Sequence, residues 1–165
     1  MRGQITALDA LVAILLFASV YSILNSMYAG VETERDDFDF LALKAKLVSS
    51  HLLTSSGEPF NWNALTASQL GLVVRRGVIE QEKLGNFLNL SASNINTTRN
   101  LLGISGLNFY FNVSYLNGTM VLVNTANFNG TATAGTDFST SPVVYSRSLA
   151  VYNGNRVFVN IKLGT

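Results

Sequence analysis

Most protein chemistry is done by a few side chains, and this chain lacks the most versatile of them. It has no Cys, which excludes disulfide frameworks, thiolate zinc sites and thiol nucleophiles. Its one histidine, His51, stands beside Leu52 and Leu53, too isolated for a multi-histidine metal site or a relay. It reads as a packed or surface side chain near a helix C-terminus. Of ten carboxylates, five fall within residues 32–39 (Glu32, Glu34, Asp36, Asp37 and Asp39), which reads as a solvated helix face. The β-rich last third holds only Asp137. No Gly-x-Ser-x-Gly elbow, phosphate-cradling glycine loop or dinucleotide fingerprint occurs. The sequence therefore predicts no catalytic residues, no metal site, no cofactor and no enzyme activity. Lys and Arg exceed Asp and Glu by one, and the pair Arg75-Arg76 reads as solvated surface, so nucleic acid is not expected as a primary partner.

Two kinds of polar site remain. One is Asp9, a carboxylate inside an apolar segment, where it is costly in lipid and requires a partner. The other is the Asn-x-Ser/Thr tripeptide, present at Asn89, Asn96, Asn112, Asn117 and Asn129. All five lie beyond the apolar segment, so a chain oriented outward would present them for glycosylation. Unmodified polar surface is the plainer alternative.

The meaning of Asp9 depends on its element. Residues 10–24 read ALVAILLFASVYSIL, without a charge. Extended to 5–29 the stretch has 25 residues, interrupted by Asp9 and Asn25. About 20 apolar residues in a helix cross a bilayer. Arg2 precedes the stretch and the next basic residue is Arg35, which votes for a cytoplasmic N-terminus and an exterior C-terminal domain. A cleaved secretory signal and a plain anchor are the competing readings.

The start Met1-Arg2-Gly3-Gln4, then Ile-Thr-Ala-Leu-Asp and a long apolar helix, resembles the class III signal of archaeal type IV pilin-like proteins. The resemblance covers about 30 residues. It implies that a prepilin peptidase, acting as a partner, cuts between Gly3 and Gln4. It also implies that the helix is retained and packs against copies of itself or related pilins, with Leu11, Ile14, Leu15 and Phe17 in the contact. Asp9 would stand near the family's acidic position, which pairs with a neighbour's amine. It would be the sixth mature residue, whereas the family's usual Glu is the fifth. Gly57-Glu58-Pro59…Trp62 and Leu102-Gly103-Ile104 are also similar to stretches of such proteins.

Past Gly30, Phe38, Leu41, Ala45, Val48 and Leu52 recur at three- and four-residue steps, the stripe of a one-sided helix. Gly57 and Pro59 end it. One helix over residues 6–55 would span about 75 Å at 1.5 Å per residue. Two helices broken near Gly30 are the alternative. Residues 59–63 read as a loop anchored by Trp62, and 66–72 as a short helical turn. Residues 81–90 and 93–102 read as helices. From Leu107 the pattern alternates with period two. Asn117-Gly118 and Asn153-Gly154 mark two hairpins, expected to take positive φ at both turn positions. Residues 126–141 read as an exposed loop.

The predicted fold is α+β, a long N-terminal helix packed on an antiparallel sheet of about four strands. The predicted organisation is a leader at 1–3, an assembly helix at 4–30, its amphipathic continuation at 31–56 and an extracellular domain at 57–165, with the sheet from about 107. The expected role is a filament subunit, held in the membrane before assembly and exposed at the cell surface after it. The alternative is an anchored binding or adhesion protein that never polymerises.

Overall fold

The computed structural model describes residues 2–139 and 142–165, and side chains for all of these except 2–8 and 29–36. Helix α1 runs Arg2–Thr54 without a break, Gly30 included. The chain divides into two compact units, Met1–Asp37 and Phe38–Thr165, so the last turns of α1 belong with the globular part. The fold is α+β, as the periodicities predict.

In the second unit the stripe does its work. Leu41, Ala45, Val48 and Leu52 are buried, and join one core with the inner faces of the strands. Phe38, the stripe's first member, is 49% exposed and lies outside that core. The helix end is tied down by its carbonyls, which need partners outside the helix. Leu52 O accepts from Leu72 N–H at 3.0 Å, and Leu53 O accepts from Gly77 N–H at 3.0 Å. The next segment is the packed loop that the lone Trp predicts. Trp62 is buried, and its Nε1–H donates to Ser56 O at 3.2 Å and Gly71 O at 3.1 Å. Residues 66–72 are not the helical turn expected. Gln69 instead bridges Glu58, because the segment must run extended into the first strand.

Strands β1 (Val73–Arg75) and β2 (Val78–Ile79) lead into helices α2 (Gln81–Ser93) and α3 (Ile95–Leu101). Asn94 caps α3 by accepting from Thr97 N–H at 3.0 Å, which satisfies one unpaired donor. Leu84, Phe87 and Leu88 on α2 are buried, and the Phe87 ring meets Phe111 edge-on at 4.8 Å.

The remaining strands are β3 (Asn108–Tyr115), β4 (Leu122–Asn124), β5 (Asn129–Thr131), β6 (Thr133–Gly135), β7 (Val143–Tyr152) and β8 (Asn155–Gly164). The main sheet has six strands in the order β1-β2-β7-β8-β3-β6, and β4 and β5 pair separately. It is larger than the four strands expected and it is mixed, since β2 runs parallel to β7. The β7–β8 hairpin matches its prediction. Asn153 and Gly154 take φ of 48° and 79°, the requirement of a two-residue turn.

The first hairpin differs. At Asn117-Gly118 only the glycine has positive φ. Tyr115 O accepts from Gly118 N–H, and Tyr115 N–H donates to Thr119 O, a three-residue loop closed by a left-handed glycine. The return strand leaves β3 after the Ser114–Met120 bridge and pairs with β5. Its place beside β3 goes to β6, from the stretch read as a loop. Ala132 and Ala134 are buried there, an alternation concealed by small residues. A Cβ on Gly135 would lie 2.1 Å from Phe109 O, so only glycine lets β6 approach so closely.

Candidate functional site

The first candidate is the apolar part of α1. Among the described residues one stretch, Asp9–Tyr28, is long and apolar enough to cross a membrane, with 20 residues and a mean hydropathy of 2.0. At 1.5 Å per residue it is about 30 Å long, the thickness of a bilayer's hydrocarbon core. None of it is buried within the chain. Leu11, Ile14, Leu15 and Phe17 are all exposed, Phe17 to 74%, and so are Leu16, Val20, Ile23 and Leu24. These residues cover every side of the helix, the pattern of a helix surrounded by lipid or by other helices.

Asp9 is exposed at the start of this span. At roughly 100° per residue, Leu11, Ile14 and Leu15 lie on the side away from Asp9, and Phe17 lies nearer to it. Within the span, Phe17 stacks on Tyr21 with ring centroids 6.5 Å apart. The Ser19 hydroxyl donates to Leu15 O, keeping a polar group satisfied inside the helix. Gly3 lies in the first turn of α1, and the side chain of Gln4 lies outside the described residues, as do those of Glu32, Glu34 and Asp36. Asp37 and Asp39 are exposed. His51 is half-buried, its Nε2 3.0 Å from the Gln69 amide nitrogen. Among the described residues no group of three His, Asp or Glu is arranged to hold a metal ion.

The sequons fall into two groups. At Asn117 and Asn129 both the asparagine and the threonine two residues on are exposed. At Asn89, Asn96 and Asn112 the hydroxyl residue (Ser91, Thr98 or Ser114) is buried. Asn112 sits on the polar face of β3, as its alternation predicts, but its carboxamide is engaged: Oδ1 accepts from Asn160 Nδ2 at 2.7 Å. Asn117 Oδ1 accepts from Thr119 N–H at 3.0 Å within its turn.

The second candidate is a groove on the outer face of the sheet. Strand register sets Tyr110, Lys162 and Tyr145 in one cross-strand row, and Asn112, Asn160 and Arg147 in the next. Asn160 links its row: Nδ2 also donates to Ser114 Oγ at 3.3 Å, and Oδ1 accepts from Arg147 Nε at 2.8 Å. Lys162 is only 5% exposed, unusual for a lysine on an outer face. Its ammonium donates to Asp137 Oδ1 at 2.6 Å and lies 4.7 Å from the Phe138 ring centroid and 5.2 Å from that of Tyr145. The hydrogen bond from Lys162 holds the Asp137 carboxyl below its usual range. Hydrogen bonds to Asp137 and then Tyr145 raise Lys162 above its own. The groove holds about 470 Å³. Sequence periodicity marks these positions as outward-facing. It does not reveal which of them meet, since that depends on the register of three strands.

No protein-family model, curated protein or solved structure matches this chain.

Proposed function

We propose that this chain is a structural subunit of an archaeal type IV pilus-like filament at the cell surface, assembled through its apolar N-terminal helix. The observation that carries this reading is the span Asp9–Tyr28, apolar on every side and unburied within the chain. One partner helix covers one face only. Leu11, Ile14 and Leu15 face away from Asp9, so a neighbour packed on those side chains leaves the acid for another. A bundle of copies supplies both. Leaving lipid for such a bundle gains little hydrophobic energy, so helix packing and a partner for Asp9 must supply the drive. Before assembly the same span holds the chain in the membrane, with the β-rich unit outside. The Gly3-Gln4 start supports removal of a three-residue leader by a prepilin peptidase.

Mass spectrometry of the native N-terminus and electron microscopy of the purified protein test this. The expected start is Gln4 and the expected form is filaments. Gly3→Val blocks leader removal, and Asp9→Ala lowers filament yield. Normal filaments from both variants overturn the proposal. A second reading, an anchored binding protein that does not polymerise, is favoured by the outer groove. It predicts a start at Met1 and no filaments.

A further inference from the structure

The outer face of a sheet normally carries side chains that hydrate one by one. Here they form a built floor. Ser114 and Lys162 are more than nine-tenths buried, and Asn160 joins Asn112, Ser114 and Arg147 through three hydrogen bonds. Such cross-links hold the side chains in one arrangement before any ligand arrives, which lowers the ordering cost of binding.

What remains open defines the ligand. Lys162 and Asp137 neutralise each other, so among the described residues the groove's uncompensated charge is Arg147. The Arg147 Nε is committed to Asn160, and its guanidinium lies 5.0 Å from the Phe158 ring centroid, which leaves the terminal N–H groups for a carboxylate. Asn112 Nδ2, the Ser114 hydroxyl and the second Asp137 oxygen offer donors and acceptors in about equal measure. Tyr110 and Tyr145 line the same groove, and Tyr145 is 69% exposed. A flat aromatic face beside mixed donors and acceptors matches a sugar ring, which has an apolar C–H face and a rim of hydroxyls. A phosphate-rich ligand would need more than one free cation, and an apolar ligand would leave the floor's polar groups unpaired.

We propose that this groove binds a saccharide bearing a carboxylate, with Arg147 pairing the carboxylate, Tyr145 stacking on the ring, and Asn112, Ser114 and Asp137 reading its hydroxyls. The proposal does not depend on whether the chain polymerises. It requires Asn112 to be unmodified, since a glycan there would fill the groove.

The test is calorimetric titration of the full chain in detergent micelles with trigalacturonate and with a neutral galactose trisaccharide. Trigalacturonate is expected to bind more tightly. Arg147→Gln should weaken it about tenfold, the worth of one charge-assisted pair, and remove the preference over the neutral sugar. Tyr145→Ala should weaken both sugars. Both side chains are exposed, so the melting midpoint should stay near wild type and verify the fold. Chain made in a non-glycosylating host separates two sources. If glycans on other copies are the ligand, it captures glycosylated chain and loses it on Arg147→Gln. If free polysaccharide is the ligand, it binds trigalacturonate but not glycosylated chain. Three results overturn the proposal: no binding of trigalacturonate at millimolar concentration, unchanged binding by Arg147→Gln, or a glycan on Asn112 in the native protein.

Discussion

The two halves of α1 both carry many Leu, Ala, Val and Phe residues and bury them differently. Over Asp9–Tyr28 every apolar side chain is exposed, and over the last turns Leu41, Ala45, Val48 and Leu52 reach nearly zero exposure. The difference lies in composition and arrangement together: no charge falls between Ala10 and Tyr28, whereas Asp39, Lys44 and Lys46 interrupt the apolar residues of the second half. In the second half Leu41, Ala45, Val48 and Leu52 form a stripe, which one sheet face can cover, while Phe38, Phe40, Leu43 and Leu47 lie off it and stay exposed. In the first half they surround the helix, so no single face of the same chain can satisfy them. A stripe is an instruction for folding, and an all-round coat is an instruction for an environment, lipid or other helices.

Substitutions in the two halves should break this comparison most sharply. Leu52→Ala removes a fully buried side chain and should cost the globular unit about 2–5 kcal/mol. Leu15→Ala should leave that unit's stability within about 0.5 kcal/mol of wild type, as for a surface change. Urea denaturation of full-length protein in detergent measures both, and equal effects would erase the distinction. Gly135→Ala comes next. It combines a φ of 77° with a Cβ 2.1 Å from Phe109 O, so β6 must move away from β3. The expected cost is about 1–3 kcal/mol, with exchange protection lost at β6 before β8.

A smaller effect concerns how the second half is seated. Ser49 Oγ lies 2.7 Å from Ser148 Oγ on β7, a polar contact beside the buried leucines. Ser49→Ala should cost about 1 kcal/mol, because it leaves Ser148 with one partner fewer. The smallest belongs to the Asp137–Lys162 pair at the groove. Asp137's depressed pKa means that its contribution is present above the unfolded value, about 3.9, and is lost as pH falls through the folded one. Lys162's raised pKa means that its contribution is present below the unfolded value, about 10.4, and is lost as pH rises through the folded one. Asp137→Asn should therefore melt slightly below wild type at neutral pH. The two curves should converge in acid and again in strong base. Asp137 is mostly exposed, so the gap will be small.

The candidate sites differ in how far the sequence reveals them. The apolar span is complete in the order of residues 10–24, because a helix that meets lipid needs only length and composition. The sequons are legible as tripeptides, but their exposure is not. The sequence puts Asn112 on a strand's polar side and Asn117 in a turn, but only the structure shows that Asn112 is engaged in a hydrogen-bonded floor with Asn160. The groove is legible only as a set of outward polar positions. Arg147, Asn160 and Asn112 are far apart in the chain, and β8 between β3 and β7 brings them into one row.

Local period and composition encode one part of this protein. That part comprises the apolar and amphipathic helical stretches, the strands β3, β7 and β8, the Asn153-Gly154 turn and the lack of thiols, whereas the unbroken passage of one helix through Gly30 is read from the structure. Which strands became neighbours is settled by long-range packing. It placed β2 parallel to β7, gave β6 rather than the 120–123 segment the place beside β3, and built the groove from three aligned strands. The physical reason is that helices and tight turns are closed by contacts a few residues apart. Strand order depends on contacts across the whole chain, chosen by size and fit, as at Ala132, Ala134 and Gly135, which no local period records.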